Sequence, residues 1–372
     1  MKIYINGRFL TQPISGVQRY GIEILKSLDS LISKEVIDSK LWEFEVLTPN
    51  KNLITNIELK GIPIKKCGIL MGHLWEQFEL PFFCGKNVLI CLGNLAPVFS
   101  LLTNNHVFVT VHDLSFRYFP KAYSLLFRIF YRLITPIIFW RSAGVITVSN
   151  SELKSLLKIY RIDSKKIVAV QNGPFSSDYM QELSNSEMKA ESTGHAKVLY
   201  VGAINKRKNI EGFLNAIRLV RKKIPVQGIV IGASGGSFSK FNLKEFNDEI
   251  HNIYWGGQIN NINELIEFYR AAKCFVFPSF YEASPLPPIE AMAVGCPGIA
   301  SNIEANKERC GAAALYCDPN NPEDIAEKIE MVITQSELRN SLIEMGFQKC
   351  QEYSWEKTVI NTFYFISDKI IN

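Results

Sequence analysis

The sequence predicts an α/β protein of two doubly wound domains, each a parallel sheet between helices, facing each other across a cleft. Three observations carry this. Short apolar runs alternate with helical stretches through most of the 372 residues, the pattern of parallel sheets assembled from strand-helix units. That length suits two such domains rather than one. Residues 176–195 are polar and without periodicity, which marks a linker between two halves of similar style. The expected division is a first domain over 1–182, a linker over 183–195, a second domain over 196–354 and a last helix over 355–372.

In the first half, residues 2–6 alternate and form a strand. Asn6-Gly7-Arg8 follows, then a loop to Ser15-Gly16 and a helix to about Ile32, with Ser15 as its N-cap and Ile24, Leu25 and Leu28 on one face. Further strands are expected at 43–48, 63–67, 87–91 and 106–111, the last running into His112 and Asp113 at its carboxyl end. Residues 120–142 form a helix that Pro136 should kink or end. A strand over 143–149, a helix over 151–160 and a strand over 167–170 complete this half.

The second half opens with a strand at 197–201, a basic loop through Lys206, Arg207 and Lys208, and a helix to about Lys222. A strand at 228–232 runs into a Gly-rich loop, 233–239, read as mobile. A strand at 252–255 precedes Gly256-Gly257-Gln258 and a helix over 261–271. Residues 274–277 are a short apolar, aromatic strand. Pro278, Pro285 and Pro287 keep the following loop out of helix, Pro288 suits a first helical position, and Gly295 with Pro297 ends the helix near Val294. Strands at 298–300 and 313–316 and helices at 322–334, 337–351 and 355–371 follow. In the last of these, Val359, Phe363 and Ile366 recur at helical spacing and form a docking face.

Composition narrows the function. Hydrophobic residues make up 47% of the chain, enough for two cores and too many for disorder. The net charge of +5 is mild and spread along the chain. It fits anionic partners in general, and no nucleic-acid partner is expected. Eight cysteines show no Cys-x-x-Cys and no His pairing at zinc spacing, so reduced thiols in a cytosol are the simplest account. The polar N-terminus lacks a signal-peptide core, and the longest bare apolar stretch in the middle of the chain, within 133–140, is far too short to span a membrane. No Gly-x-Gly-x-x-Gly follows a strand, which disfavours a dehydrogenase.

The chemistry concentrates between Cys274 and Ala300. Glu282 lies in the loop after a strand, where open α/β sheets bind ligands, and Glu290 lies in the first helical turn. Ionised carboxylates only accept hydrogen bonds and suit vicinal hydroxyls, while a helix N-terminus suits phosphate. The spacing alone serves two readings: hydroxyl-binding acids, or a dipole complement and a solvated loop acid. The cations at 206–208 precede a helix, where positive charge is misplaced unless an anion sits between them. Gly16 marks either a phosphate approach or an ordinary strand-to-helix turn. His112 and Asp113 either order a loop or line a site. In 120–142, Lys121, Arg128 and Arg132 share one face of an aromatic helix, which suits either an anionic membrane surface or a core helix with a solvated basic edge.

Glu282-x7-Glu290 followed by Ala291-Met-Ala-x-Gly295-x-Pro297 resembles the signature of the retaining, nucleotide-sugar-dependent glycosyltransferases of family 4, which have the two-domain GT-B fold of Rossmann-like domains. The resemblance implies that the last helix crosses back to the first domain. It places Glu290 on ribose hydroxyls, Glu282 on donor-sugar hydroxyls, Arg207 and Lys208 on the diphosphate and Gly16 beside it. It also places His112 near the sugar, able to donate to a sugar oxygen, with Gln258 by the nucleobase and Leu286 in the donor site. Two departures stand out. Ala283-Ser284-Pro285 replaces a common Gly-Phe-Gly, and proline removes a backbone N–H. Ala203 replaces a frequent Arg, which shifts weight onto Lys208.

The resulting expectation is a retaining hexosyltransferase using a nucleotide-diphosphate sugar, with no cofactor and no metal, since the chain has no Asp-x-Asp. The acceptor is expected to be lipid-linked or an oligosaccharide in bacterial surface polysaccharide synthesis. The protein is expected to be cytoplasmic, with peripheral contact of 120–142 with the inner membrane. A nucleotide-sugar epimerase of similar fold and a non-catalytic sugar-nucleotide binder are the alternatives.

Overall fold

The computed structural model describes residues 1–38, 41–54, 57–120, 123–184, 195–233 and 252–371. The chain forms two compact units. The first comprises Met1–Leu114, Leu125–Ser176 and Ser354–Asn372; the second comprises Ser115–Ser124 and Ser177–Tyr353. The continuous part of the first unit thus ends at Ser176 rather than at 182, and a short excursion at 115–124 belongs to the second. Most of the expected linker and of the Gly-rich loop, residues 185–194 and 234–239, lies outside the described residues.

In the first unit, β1 (Lys2–Asn6), β2 (Glu43–Pro49), β3 (Ile64–Cys67), β4 (Val88–Cys91), β5 (Val107–Val111), β6 (Gly144–Thr147) and β7 (Ile167–Ala169) form one sheet. Their order is β3-β2-β1-β4-β5-β6-β7, and every pairing is parallel. Every residue of β4, β5 and β6 is buried, as strands covered on both faces must be. The edge strand β3 instead exposes Lys65 and Lys66, a charged edge that resists pairing with another chain.

The second unit has β8 (Ala196–Val201), β9 (Val226–Ile231), β10 (Ile253–Gly257), β11 (Cys274–Phe277), β12 (Gly298–Ser301) and β13 (Ala314–Cys317). Their order is β10-β9-β8-β11-β12-β13, again all parallel. Helix Ile210–Val220 buries Ile210, Phe213, Leu214, Ile217 and Val220 against this sheet and helix Pro322–Thr334. Strand order reverses at β1/β4 in one sheet and at β8/β11 in the other, the positions beyond whose carboxyl ends doubly wound sheets bind ligands.

The last helix, Trp355–Ile371, joins the first unit. Trp355 is fully buried with its ring edge-on to Tyr20 at 5.8 Å. Val359 and Ile366 are buried, and Phe363 packs edge-on to Phe44 at 5.3 Å. The Thr358 hydroxyl donates to the Gln171 carbonyl at 2.8 Å. All eight cysteines are buried and unbridged.

Two local expectations are corrected. The helix expected from Pro288 begins at Leu286, with Pro285 at its N-cap, so Pro287 and Pro288 lie inside its first turn and Glu290 beyond it. Proline is tolerated there because the first-turn N–H groups have no intrahelical acceptor. The helix expected over 120–142 spans Leu125–Arg141 with Pro136 inside it, so the proline does not end it; Lys121 lies outside the described residues. Residues 72–84, left unassigned from sequence, form two short helical segments around a π turn, Trp75–Glu79.

Gly173 fixes the return of the last helix. A Cβ there would lie 2.5 Å from the Trp355 nitrogen and 2.8 Å from the Ser354 carbonyl carbon, both backbone atoms. Gly173→Ala is therefore expected to destabilise the protein by about 1–3 kcal/mol, the usual range for overpacking, read as a lowered urea midpoint. An unchanged midpoint would show that the helix is not seated there.

Candidate active site

The site is assembled at the β8/β11 reversal. After β8, Asn205 accepts from the Lys208 N–H at 3.0 Å and caps a single tight turn, Lys206–Lys208. Asn209 follows in the left-handed conformation (φ 54°), which asparagine tolerates. Its side chain caps the next helix by accepting from the Gly212 N–H at 3.1 Å. Its amide nitrogen donates to the Pro278 carbonyl at 3.0 Å and the Pro319 carbonyl at 2.7 Å. One buried amide therefore ties the basic turn to the loop that leaves β11. The Phe280 N–H donates to the Arg207 carbonyl at 2.9 Å, and the Ser301 hydroxyl donates to the Ser279 carbonyl at 2.5 Å.

These ties bring three sequence-predicted residues together. Arg207 Nη1 donates to the Tyr281 carbonyl at 3.0 Å and lies 3.5 Å from Glu282 Oε2. Lys208 Nζ lies 2.6 Å from Glu282 Oε1 and 4.9 Å from the Phe277 ring centroid. Glu282 is the anion the basic turn required. Its own burial pushes its carboxyl pKa up, but Lys208 and then Arg207 outweigh that and hold it below the usual carboxylate range. Tyr118 and Phe119 bring their rings to 5.0 Å and 5.9 Å from the Tyr281 ring.

The other predicted residues lie elsewhere. Leu286 is the first residue of helix Leu286–Ala293, and Glu290 is buried in its second turn, with the Tyr269 hydroxyl donating to Oε2 at 3.1 Å. Gln258 is exposed just past the edge strand β10, two strands from the reversal, and donates to Asn260 Oδ1 at 3.1 Å. Gly16 and His112 belong to the first unit. Gly16 opens helix Gly16–Ser33, and a Cβ there would meet nothing within 4 Å. Ser15 holds the N-cap position, but its hydroxyl pairs with the Gln18 amide oxygen rather than a backbone N–H, which corrects the capping expectation.

His112 is buried, edge-on to Tyr20 with ring centroids 4.7 Å apart. Burial lowers its pKa more than the Leu92 carbonyl and the Asp113 charge raise it. Nε2 lies 2.8 Å from the Leu92 carbonyl oxygen, and a carbonyl only accepts. The neutral ring therefore carries its proton on Nε2 and spends it on Leu92. Nδ1 is left as an acceptor, so it can receive a hydrogen bond but not donate one, against the donor role expected from sequence.

Sequence reasoning missed Asn205, Asn209 and Tyr281. The first two left a signal: Asn205-Lys-Arg-Lys-Asn209 places a capping residue ahead of a turn and another ahead of a helix. Tyr281 contributes a backbone carbonyl, for which side-chain identity carries no signal.

Comparison with known proteins agrees with this architecture. Residues 184–349 match the family model described as glycosyl transferases group 1. The chain is 29% identical to O-antigen chain mannosyltransferase B of Escherichia coli over 228 residues, 59% of this chain and 58% of that protein. It is 27% identical to O-antigen chain mannosyltransferase RfbU of Salmonella typhimurium over 340 residues, 86% and 87% of the two chains. The crystal structure of Anabaena Alr3699/HepE in complex with UDP and glucose superposes with a TM-score of 0.70 at 14% identity, covering 99% of this chain and 100% of that one. The two parallel sheets share the GT-B architecture of such solved structures. The similarity to group 1 glycosyl transferases, over 184–349, lies within the second unit.

His112 gives the first unit a pH dependence. Its folded pKa lies below its ordinary 6.5, so in acid the unfolded chain binds the proton first. Stability is full above about pH 6.5 and falls as pH drops through that value. His112→Gln is expected to flatten the loss of thermal midpoint between pH 7 and 5. Parallel pH profiles for the two proteins would exclude burial of a neutral ring at this position.

Proposed function

We propose that the protein transfers a hexose, mannose on the strength of its relatives' names, from a nucleotide-diphosphate sugar to an acceptor hydroxyl with retention of configuration. The acceptor is lipid-linked or an oligosaccharide, in bacterial surface polysaccharide synthesis. The observation that carries this reading is the Arg207, Lys208 and Glu282 cluster at the β8/β11 reversal.

A departing nucleoside diphosphate gains negative charge in the transition state, and fixed cations aimed at that charge need no reorganisation. Arg207 and Lys208 fill that role. Glu282 holds both in place, and a carboxylate has lone pairs to spare for a sugar hydroxyl. The N-terminus of helix Leu286–Ala293 offers the Leu286 N–H and a favourable dipole to the diphosphate, Pro287 and Pro288 having no N–H to give. Glu290 takes ribose hydroxyls beside Tyr269. His112, through Nδ1, accepts from a sugar or acceptor hydroxyl. Gly16 leaves room for the diphosphate at its helix start, and Gln258 lies by the nucleobase. No metal is required in this scheme.

The protein works in the cytoplasm as a peripheral protein of the inner membrane. No helix among the described residues is long and apolar enough to cross a membrane. Helix Leu125–Arg141 nevertheless exposes Leu126, Leu133 and Trp140 together with Arg132, an arrangement suited to lying on an anionic leaflet.

Turnover is expected to persist in excess EDTA and to require acceptor, while Lys208→Ala loses about 10²–10³ in kcat, the usual cost of removing one preorganised donor. Initial rates with and without chelator and acceptor decide. Silencing by EDTA with rescue by Mg²⁺ or Mn²⁺ would overturn the charge assignment, and donor conversion without acceptor would point to an epimerase.

The two acids separate by ligand. Glu290→Ala is expected to weaken binding of both donor and free nucleoside diphosphate, which share the ribose. Glu282→Ala is expected to weaken turnover and spare the nucleoside diphosphate. Calorimetry on both variants tests this, and equal losses for the free nucleotide would contradict the roles.

A further inference from the structure

The first unit has its own reversal, β1/β4, and a buried charge cluster sits at it. Glu76, in the π turn, is 1% exposed. The Asn6 amide at the end of β1 donates to its Oε1 at 2.7 Å. Its Oε2 lies 3.1 Å from Arg8 Nε and 3.1 Å from His73 Nδ1. Arg8 is pinned in turn: its N–H donates to Asn6 Oδ1 at 3.2 Å, and its carbonyl accepts from the Thr11 hydroxyl at 2.8 Å.

This pinning leaves the guanidinium incomplete. The Arg8 side chain is only 12% exposed. Among the described residues its two terminal nitrogens meet no acceptor. A guanidinium carries five N–H donors in a rigid fork that matches phosphate, and the two terminal nitrogens of Arg8, unlike its buried Nε, remain open to solvent. His73 is half-exposed and has Nε2 left once Nδ1 faces Glu76. A fork and an imidazole, both oriented by one carboxylate at a sheet reversal, fit an anion with several oxygens.

The surroundings say what bears the anion. The His73 ring centroid lies 6.3 Å from that of Phe130. Met71 and Leu74 flank His73 and are exposed, as are Leu126 and Leu133 on the helix of Phe130. Residues 80–151 contain six cations, Lys86, Arg117, Lys121, Arg128, Arg132 and Arg141, and one acid, Asp113. The Arg8, His73 and Glu76 cluster thus adjoins an exposed apolar surface, and helix Leu125–Arg141, which supplies part of that surface, carries Arg128, Arg132 and Arg141 and no acid.

We propose that Arg8 and His73, both held on Glu76, bind the phosphate of a lipid-borne acceptor, and that the adjoining apolar surface takes its lipid. The assignment rests on the reading that the acceptor is lipid-linked. It names the residues that recognise the head group.

The test is binding of monomeric dodecyl phosphate, inorganic phosphate and dodecyl maltoside to the full chain by calorimetry, without sugar donor. The unmutated protein is expected to bind dodecyl phosphate at least about 10-fold more tightly than either other probe. Arg8→Gln is expected to lose about 10- to 100-fold for dodecyl phosphate, the range for a charge-assisted hydrogen-bonding pair, and to keep its affinity for dodecyl maltoside. If Arg8→Gln fails to fold, His73→Gln decides, since its half-exposed ring lies outside the core; a loss of about 3-fold or more for dodecyl phosphate alone supports the site. Equal affinity of the unmutated protein for dodecyl phosphate and dodecyl maltoside would overturn it. So would inorganic phosphate binding as tightly as its dodecyl ester, or variants indistinguishable from the parent. Because no turnover is read, sugar transfer without head-group preference defeats this subsite alone, and head-group preference without transfer defeats the enzymatic reading alone.

Discussion

The second unit depends on keeping a carboxylate charged where water barely reaches it. The Glu282 side chain is 8% exposed, and an unpaired charge at that depth costs several kcal/mol. Lys208 and Arg207 resolve this only if the turn after β8 and the loop after β11 are held within a few ångströms of each other. The Asn209 amide does that by donating to the Pro278 carbonyl just past β11, while it also donates to the Pro319 carbonyl and accepts from the Gly212 N–H. Beyond it, a Cβ on Gly232 would lie 1.9 Å from the Gly202 carbonyl oxygen, so only glycine lets the ends of β8 and β9 close up there.

The two units solve the same topological problem with different chemistry. Each reverses its strand order once. In the second unit the carboxylate sits in the loop after a strand and the cations in a turn. In the first, the carboxylate comes from a π turn and is shared by an asparagine, an arginine and a histidine. A carboxylate between two cations presents concentrated positive charge. A carboxylate that already satisfies its neighbours mainly orients them.

Much of this was legible in the sequence. Every strand fell within a few residues of its expected place, because buried parallel strands are short apolar runs between turn residues. The Glu282-x7-Glu290 stretch and the basic turn were legible because each breaks a local rule that a ligand or partner must mend. The pairing of Glu282 with Lys208 was not, since it joins residues far apart in the chain and no local pattern encodes it. The helix start at Leu286 was misjudged because proline at any of the first helical positions leaves the hydrogen-bond ladder intact. The 72–84 segment escaped because its π turn and Pro81 blur a 3.6-residue period. The tautomer of His112 needed the Leu92 carbonyl, which only the folded chain supplies.

The eight buried thiols have a consequence of a different kind. Burial raises the pKa of Cys67 to about 11 and that of Cys274 and Cys317 to about 12, so each is nearly inert until its surroundings open. Cys67, Cys84 and Cys91 belong to the first unit and Cys274, Cys296, Cys310, Cys317 and Cys350 to the second. The native chain therefore carries its own clocks of local opening. Slow alkylation, read residue by residue, would report how often each half breathes, and whether the two halves open together or apart.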